Sequence, residues 1–212
     1  MNCLLNKLQN KSESSCYVSL ENKFIVHHYK NFIESKYCDL WIAWIKKNIK
    51  FPKKNYIMLM GKQILTPRLQ TSFGDEGAYY TFSGTTVYPN PWKKQILILK
   101  KIVEDLANYK FNFCLLNYYR NGDDYIGPHS DKEKDLDKNA PIASLTFGAD
   151  RLFKFENNKH KMTKKFVKKF IICNGDIVIF YPITNEYHKH SVPKQKNIKK
   201  GRWNFTFRKI II

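Results

Sequence analysis

The segment at residues 202–208, with the sequence RWNFTFR, alternates polar and apolar side chains without a break, and it constrains the fold more than any other part of the chain. Because successive side chains of a strand point to opposite faces, the pattern predicts a half-buried β-strand with an aromatic face and a polar face. Arg202 and Arg208 lie roughly 20 Å apart on the polar face. They can hold a short dicarboxylate between them, since guanidinium binds carboxylates bidentately and keeps its charge when partly buried. The alternative is a strand whose polar face lies in water.

Short strands rich in β-branched and aromatic residues dominate the second half of the chain. They are predicted at residues 111–119, 142–147, 151–155, 166–172, 177–180 and 202–212. Helices are predicted at 35–49 and after Asn90, with Asn90 as N-cap and Pro91 as the first helical residue. Helices first and strands after predict a mainly β fold, an antiparallel sandwich or jelly roll with helices packed on one side. Residues 1–20 are predicted to be a flexible lead-in to a single domain at 21–212.

A histidine and an aspartate stand two residues apart in the sequence GPHSD at 127–131. In an extended chain His129 and Asp131 project to the same side and can hold one metal ion. A second histidine would complete the two-histidine, one-carboxylate set that binds non-heme iron(II) and leaves other positions open. His188 and His190 both follow a predicted strand, and either can reach the site. A polar loop without a metal is the alternative interpretation.

Four separated motifs follow one another along the second half of the chain. They are NYYRNGDDYIGPHSDKE at 117–133, PIASLTFGA at 141–149, HSVP at 190–193 and RxNxTFR at 202–208. In order and spacing they resemble the AlkB family of iron(II)/2-oxoglutarate dioxygenases, and the resemblance extends over about residues 58–210. Upstream, YYTFSG at 79–84 and PxPW at 89–92 resemble the nucleotide-recognition lid of the animal subgroup that repairs alkylated DNA.

The resemblance implies a double-stranded β-helix core at about 111–212 with a lid at about 56–92, and it implies Fe(2+), 2-oxoglutarate and O2 as cofactors. Of the two candidate histidines, His188 and His190, the resemblance favours His190, which begins the HSVP motif. The implied metal-binding and catalytic residues are His129, Asp131 and His190. The implied 2-oxoglutarate-binding residues are Asn117, Tyr119, Arg202, Asn204, Thr206 and Arg208, and the implied base-binding residues are Tyr80, Phe82 and Glu133.

The implied activity is oxidative demethylation of N1-methyladenine and N3-methylcytosine in DNA, which repairs the base directly and releases succinate, CO2 and formaldehyde. The target base would be flipped out of its stack, because its reacting atom is unreachable within a duplex, and held between Phe82 and the His129 ring. Two alternatives stay open: an RNA demethylase of the same family, and a catalytically silent nucleic-acid-binding protein.

Contacts to the rest of the nucleic acid are expected from a hairpin tip and from basic residues. Duplex-binding relatives insert an aromatic wedge from a hairpin that ends in Gly-Lys, and here Met60 precedes Gly61 and Lys62. Methionine is an intercalating side chain in other proteins, although it also fills gaps in cores. Arg68, Lys194 and Lys196 are expected to contact the backbone, whereas the lysines at 159–169 are more simply explained as a solvated hairpin.

The formal net charge of +19 fits a polyanionic partner, although an AT-rich genome also favours lysine. Five widely spaced cysteines without a C-x-x-C pair argue against a disulfide framework and indicate a reducing compartment. Neither a signal peptide nor a membrane span is visible. We therefore expect a soluble intracellular monomer that binds nucleic acid and no membrane, with nucleus and cytoplasm not distinguished.

Overall fold

The computed structural model describes residues 14–59, 61–82, 84–158, 160–162 and 164–211. Within them, eight strands form one large sheet. From edge to edge they are β1 (Ser14–Ser19), β2 (Phe24–Tyr29), β14 (Ile177–Phe180), β11 (Ile142–Gly148), β16 (Arg202–Arg208), β9 (Phe113–Tyr119), β5 (Leu69–Gly74) and β8 (Asn90–Pro91). All neighbours are antiparallel except β5 and β8.

A smaller sheet faces the large one. Its strands, in order, are β10 (Ile126–His129), β15 (His188–Val192), β12 (Arg151–Asn157) and β13 (Val167–Ile172). Phe24 and Phe180 of the large sheet pack edge-on against Phe155 of the small sheet, with ring centroids 5.3 and 5.5 Å away. This apolar cluster between two facing sheets confirms the predicted mainly β fold.

Two helices cover the outer face of the large sheet: α1 (Ser35–Asn48) and α2 (Lys94–Ala107). They bury Ile45 and Leu99 in one cluster with Phe147 and Phe205, which are the outward aromatic residues of β11 and β16. A short helix, α3 (Pro182–Tyr187), connects β14 to β15. Among the described residues, no helix is long and apolar enough to cross a membrane.

Two hairpins stand apart from both sheets: β3 (Tyr56–Leu59) with β4 (Lys62–Leu65), and β6 (Tyr80–Phe82) with β7 (Thr85–Val87). We call these two hairpins the lid. The predicted lid at 56–92 also includes β5 and β8, but both strands belong to the large sheet. The lid is therefore narrower than the sequence indicated.

The prediction of a flexible segment over residues 1–20 is wrong for its last part. Strand β1 pairs along its whole length with β2, and Tyr17 packs edge-on against Phe170 of the small sheet at 5.0 Å between ring centroids. Strands therefore precede the helices as well as follow them. The polar composition concealed this strand because alternate side chains of an edge strand face water. Residues 1–13 lie outside the described part of the chain.

The predicted start of the second helix is also wrong. Asn90 pairs in parallel with Phe73 of β5, and its Nδ2 donates to the Ser72 carbonyl oxygen at 2.9 Å. Pro91 is tolerated there because an edge strand has a free side where no N–H is needed, and the helix begins only at Lys94. The last predicted strand, 202–212, ends at Arg208, and Ile210 makes only an isolated bridge to Leu136.

Candidate active site

Strands β10 and β15 bring together three side chains that can hold a metal ion. His129 and His190 are direct partners in the ladder, with ring centroids 4.2 Å apart, and Asp131 follows two residues after His129. One ligand atom from each residue lies within 4.8 Å of the others. The register of this pairing shifts between Ile126 and His129, as it does at a β-bulge.

The register of β15 decides between the two candidate histidines. Because side chains alternate, His188 and His190 share one face of the strand, but they lie at different positions along its length. His188 is fully buried between Phe24 and Phe166, and its Nδ1 lies 3.3 Å from the Thr184 carbonyl oxygen. Of the two, only His190 meets His129 and Asp131, as the resemblance implied.

A hydrogen bond orients His129, and burial and neighbouring charges set the pKa values of His190 and Asp131. His129 Nδ1 lies 2.9 Å from the Gly127 carbonyl oxygen, and donating its proton there leaves the Nε2 lone pair for a metal. Burial lowers the pKa of His190 to about 3, so that imidazole is the neutral form that binds metals. Burial raises the pKa of Asp131, but Arg208 and the two histidines outweigh that effect and hold it well below its usual range.

Arg208 is the fixed partner of Asp131. Its Nε and Nη2 donate to Asp131 Oδ2 at 2.9 and 2.7 Å, and both side chains are almost fully buried. The other carboxylate oxygen, Oδ1, lies 3.6 Å from His129 Nε2 and faces the centre of the triad. One oxygen of Asp131 is thus held by an arginine, and the other remains for a metal.

The polar face of β16 forms the floor of the site, together with the facing residues of β9 and β11. Arg202 is 2% exposed; its Nη2 donates to Thr146 Oγ1 at 2.9 Å, and its guanidinium lies 5.1 Å from the Tyr119 ring centroid. Burial lowers its pKa to about 10. Among the described residues, Arg202 Nε and Nη1 and Arg208 Nη1 have no hydrogen-bond partner.

Three neutral side chains lie between the two arginines. Asn204 Nδ2 donates to Ser144 Oγ at 2.8 Å, and Thr206 Oγ1 donates to the Asn204 side-chain oxygen at 3.1 Å. Asn117, opposite Asn204 on β9, accepts a hydrogen bond from Gln70 Nε2 at 3.0 Å. Gln70, Ser144 and Thr146 also belong to this polar network but were not predicted from the sequence. The signal that could have identified them is the alternation of polar residues in the strands beside β9 and β16.

Arg68 does not lie where a phosphate-contacting residue is expected. It is 8% exposed, and its Nε donates to the Asn117 side-chain oxygen at 2.8 Å inside the cavity wall. Because its side chain is used within the protein, the structure argues against the predicted role in binding the nucleic-acid backbone. Sequence position alone could not distinguish a surface arginine from this buried one.

A cavity of about 550 Å³ extends from the triad to the lid. Tyr80 and Phe82 of β6 line it together with His129 and Glu133. Tyr80 is 2% exposed with its ring 5.4 Å from the Arg208 guanidinium, whereas Phe82 is half-buried. Burial and the neighbouring Asp131 raise the pKa of Glu133, whose Oε2 has no partner among the described residues.

Four of the predicted nucleic-acid contacts are exposed. Lys194 and Lys196 are exposed, and Lys194 Nζ lies 4.8 Å from the centroid of Tyr125, a cavity-lining ring. Gly61 and Lys62 are exposed in the first lid hairpin. The predicted wedge, Met60, lies outside the described residues.

The loop that carries Lys194 and Lys196 is rigidly held. The Gln195 N–H donates to the Gly122 carbonyl oxygen at 2.8 Å, and a Cβ on Gly122 would come within 1.7 Å of the Gln195 oxygen. The buried Arg151 donates to the Pro193 carbonyl oxygen at 2.8 Å. The loop is thus fixed at both its start and its middle.

The residues present fit an iron(II) ion and a dicarboxylate. Two histidines and one carboxylate form the set that holds non-heme iron with open positions. Buried guanidinium nitrogens without partners are costly, and an anion that bonds them would remove that cost. His129, Asp131 and His190 would hold the metal, and Arg202, Arg208, Asn117 and Tyr119 would hold the dicarboxylate.

Two facing sheets with this triad and an arginine-bearing strand define an iron- and 2-oxoglutarate-dependent oxygenase fold. The chain belongs to the 2OG-Fe(II) oxygenase superfamily, whose family model matches residues 25–208. Relatives confirm the resemblance to AlkB proteins. The mouse "DNA oxidative demethylase ALKBH2" is 36% identical over 159 residues, covering 73% of this chain and 66% of the relative. Human "Alpha-ketoglutarate-dependent dioxygenase alkB homolog 3" is 30% identical over 193 residues, covering 86% and 65%.

The chain thus spans slightly less than two thirds of the length of these relatives. A solved structure, "The structure of OsALKBH1", matches with a TM-score of 0.59 at 16% identity, covering 87% of this chain and 96% of that one. This last similarity is one of fold. It extends across both sheets of the described chain and agrees with the jelly-roll architecture.

Proposed function

We propose that this protein is an oxidative demethylase of N-alkylated nucleobases in DNA that uses Fe(2+), 2-oxoglutarate and O2. One observation carries the proposal: the metal-binding triad and the buried Arg208, which has an unpartnered donor, line a 550 Å³ cavity that the aromatic residues of the lid also line. Arg202, also buried with unpartnered donors, lies on the same face of β16. The floor suits the cofactors, and the lid suits a planar base. The relatives named above, including a DNA oxidative demethylase, support the same activity.

The residues of the triad and of the floor would bind and orient the metal ion and 2-oxoglutarate. When bound, iron and 2-oxoglutarate would supply, together with O2, the oxidation of an N-methyl group: one oxygen atom of O2 would enter the methyl group, which leaves as formaldehyde, and the other would enter succinate as 2-oxoglutarate loses CO2. Asp131 presents Oδ1 to the metal because Arg208 holds Oδ2. Arg202, buried at the far end of β16, binds the distal carboxylate of 2-oxoglutarate and keeps its charge despite its lowered pKa of about 10.

The lid selects the base. A flipped base enters between Phe82 and the His129 ring, which both line the cavity, and its methyl group then faces the triad. Glu133 has a free, buried carboxylate oxygen at the edge of this space. Because burial raises its pKa, Glu133 takes up a proton more readily than an exposed glutamate and can donate or accept a hydrogen bond at the edge of the base.

The decisive experiment compares N1-methyladenine removal from duplex DNA, single-stranded DNA and RNA of one sequence, with Fe(2+) and 2-oxoglutarate present. We expect formaldehyde and unmodified adenine from DNA, and neither product when 2-oxoglutarate is omitted. Faster turnover of the RNA would instead support an RNA demethylase. Binding of all three substrates without turnover would contradict the proposal and support a catalytically silent binder.

The wedge hypothesis has its own test. The Met60→Ala variant should lower turnover of methylated duplex about tenfold, equivalent to 1.4 kcal/mol of lost stacking, and leave turnover of the single strand within twofold. Gln63→Ala, at an exposed position of the same hairpin that is not among the predicted contacts, is the matched control. An equal loss on duplex and single strand would show that Met60 is no wedge.

A further inference from the structure

Asp131 lies two residues beyond the end of β10, the strand that carries the metal-ligand candidate His129. Strand β10 ends at His129, which pairs with His190, and Asp131 has no ladder partner among the described residues. The backbone that carries the carboxylate ligand therefore needs another support. Without one, Asp131 would be held only through its side chain by Arg208.

Asn185 supplies that support. The Asp131 backbone N–H donates to Asn185 Oδ1 at 3.0 Å, and Asn185 Nδ2 donates to the Asp131 carbonyl oxygen at 2.5 Å. The side-chain amide thus makes both bonds that a paired strand residue would make. Only an amide side chain has a donor and an acceptor in this arrangement.

Asn185 also connects two of the three ligands. It belongs to α3, which runs directly into β15, the strand that carries His190. Ser130 makes a second connection between the same two segments: its Oγ donates to the His188 carbonyl oxygen at 2.7 Å. The loop of Asp131 and the strand of His190 are therefore joined at the residues next to the metal site.

We propose that Asn185 is a positioning residue that fixes the backbone of Asp131 relative to His190 and thereby sets the metal affinity of the triad. The inference rests on the metal site of the proposed function. Asn185 acts through Asp131 and touches neither metal nor substrate. Partners that orient metal ligands typically change metal affinity by about 10- to 100-fold when removed.

The test is titration of the metal-free protein with Co(II) in the absence of nucleic acid, followed by visible absorption, which reports affinity and ligand geometry. We expect Asn185→Leu, similar in size but without hydrogen bonds, to weaken Co(II) binding about 10- to 100-fold and to change the spectrum. Glu186→Gln is the matched control: Glu186 is exposed on the same helix, and the variant should bind within twofold of the original protein.

The melting temperature of each metal-free variant separates positioning from a merely structural role. If Asn185→Leu does not remain folded, Asn185→Asp decides, since it keeps the acceptor for the Asp131 N–H and loses the donor to its carbonyl. A folded variant with unchanged Co(II) affinity and spectrum would overturn the inference alone. An original protein that binds no Co(II) would overturn both the inference and the metal site of the proposed function.

Discussion

The floor and the lid of the cavity are stabilised in different ways. Every residue of β16 is buried, and the strand is paired on both sides, with β9 and β11. Among the described residues, each lid hairpin pairs only its own two strands, and all four residues of β4 are exposed. Isolated two-stranded hairpins are at best marginally stable in water, so the lid depends on a few anchors.

Those anchors are few and specific. The Thr81 N–H donates to Asp135 Oδ2 at 2.8 Å, and the Tyr80 ring packs 5.4 Å from that of Phe113. Gly84 of the second hairpin approaches Met58 of the first, where an added Cβ would lie 3.0 Å from the Met58 Cβ. The proposed cofactor-binding groups therefore belong to a sheet that is paired on both sides, whereas the proposed base-binding residue Phe82 belongs to a hairpin outside both sheets.

The largest expected effect comes from removing one ligand of the metal-binding triad. Asp131→Ala removes a metal ligand worth several kcal/mol, so turnover of methylated DNA should fall about 1000-fold or more. Salt-sensitive DNA binding should remain, because the lid and the basic loop are untouched. Exposed Asp123→Ala is the control, and formaldehyde release is the measurement. Retained turnover in Asp131→Ala would disprove the metal assignment.

A smaller change to the floor should affect the co-substrate alone. Arg202→Lys keeps a charge but loses the planar fork, and a lost hydrogen bond to a charged group costs about 1.5–3 kcal/mol. The KM for 2-oxoglutarate should therefore rise about 10- to 100-fold, while the affinity for DNA stays unchanged. Arg120→Lys, with its side chain 53% exposed, serves as control. An unchanged KM would exclude Arg202 from the co-substrate site.

A change in the lid should weaken binding of the methylated oligonucleotide and leave binding of 2-oxoglutarate unchanged. Phe82→Ala removes one face of the base-binding space, and stacking of a base on an aromatic ring is worth about 1–3 kcal/mol. We expect the KM for the methylated oligonucleotide to rise at least about fivefold and the KM for 2-oxoglutarate to stay within twofold. Tyr88→Ala, at a ring that is 76% exposed, is the matched control. A change in both KM values would contradict the separation of lid and floor.

The smallest effect concerns the basic loop. Lys194→Ala combined with Lys196→Ala should reduce the slope of log affinity against log salt by about two, one unit for each lost phosphate contact. Turnover at saturating DNA should not change, since neither lysine is part of the floor. Lys36 and Lys101, already paired with Glu34 and Asp105, provide a control double variant. An unchanged slope would remove this loop from the DNA footprint.

Local patterns were enough to predict much of the floor. The period of two in β16 placed Arg202, Asn204, Thr206 and Arg208 on one face, and the buried network confirms that shared face. The spacing of His129 and Asp131 likewise predicted that their side chains point to one side. Alternation in a strand is a local property of the backbone, so it can be read without knowing what lies opposite.

Partners distant in the chain were beyond the reach of such patterns. Arg208 and Asp131 are separated by 77 residues, and Asn185 and Asp131 by 54. The same limit explains the errors at Arg68, which is buried against Asn117, and at Asn90, which joins β5. Burial and strand neighbours, which depend on the whole fold, override local preference in each case.

By itself, the sequence determined the strand-rich character of the chain, the polar face of β16, the His129–Asp131 motif and, through the order of four motifs, the resemblance to AlkB proteins. Only the tertiary structure brought His190, the histidine that the resemblance favoured, next to His129 and Asp131. It alone showed that Arg208 pairs with Asp131, that Asn185 holds the backbone of the Asp131 loop and that the lid consists of two hairpins. The physical reason is that side-chain direction follows from the local backbone, whereas depth, register and partners follow from how the two sheets pack together.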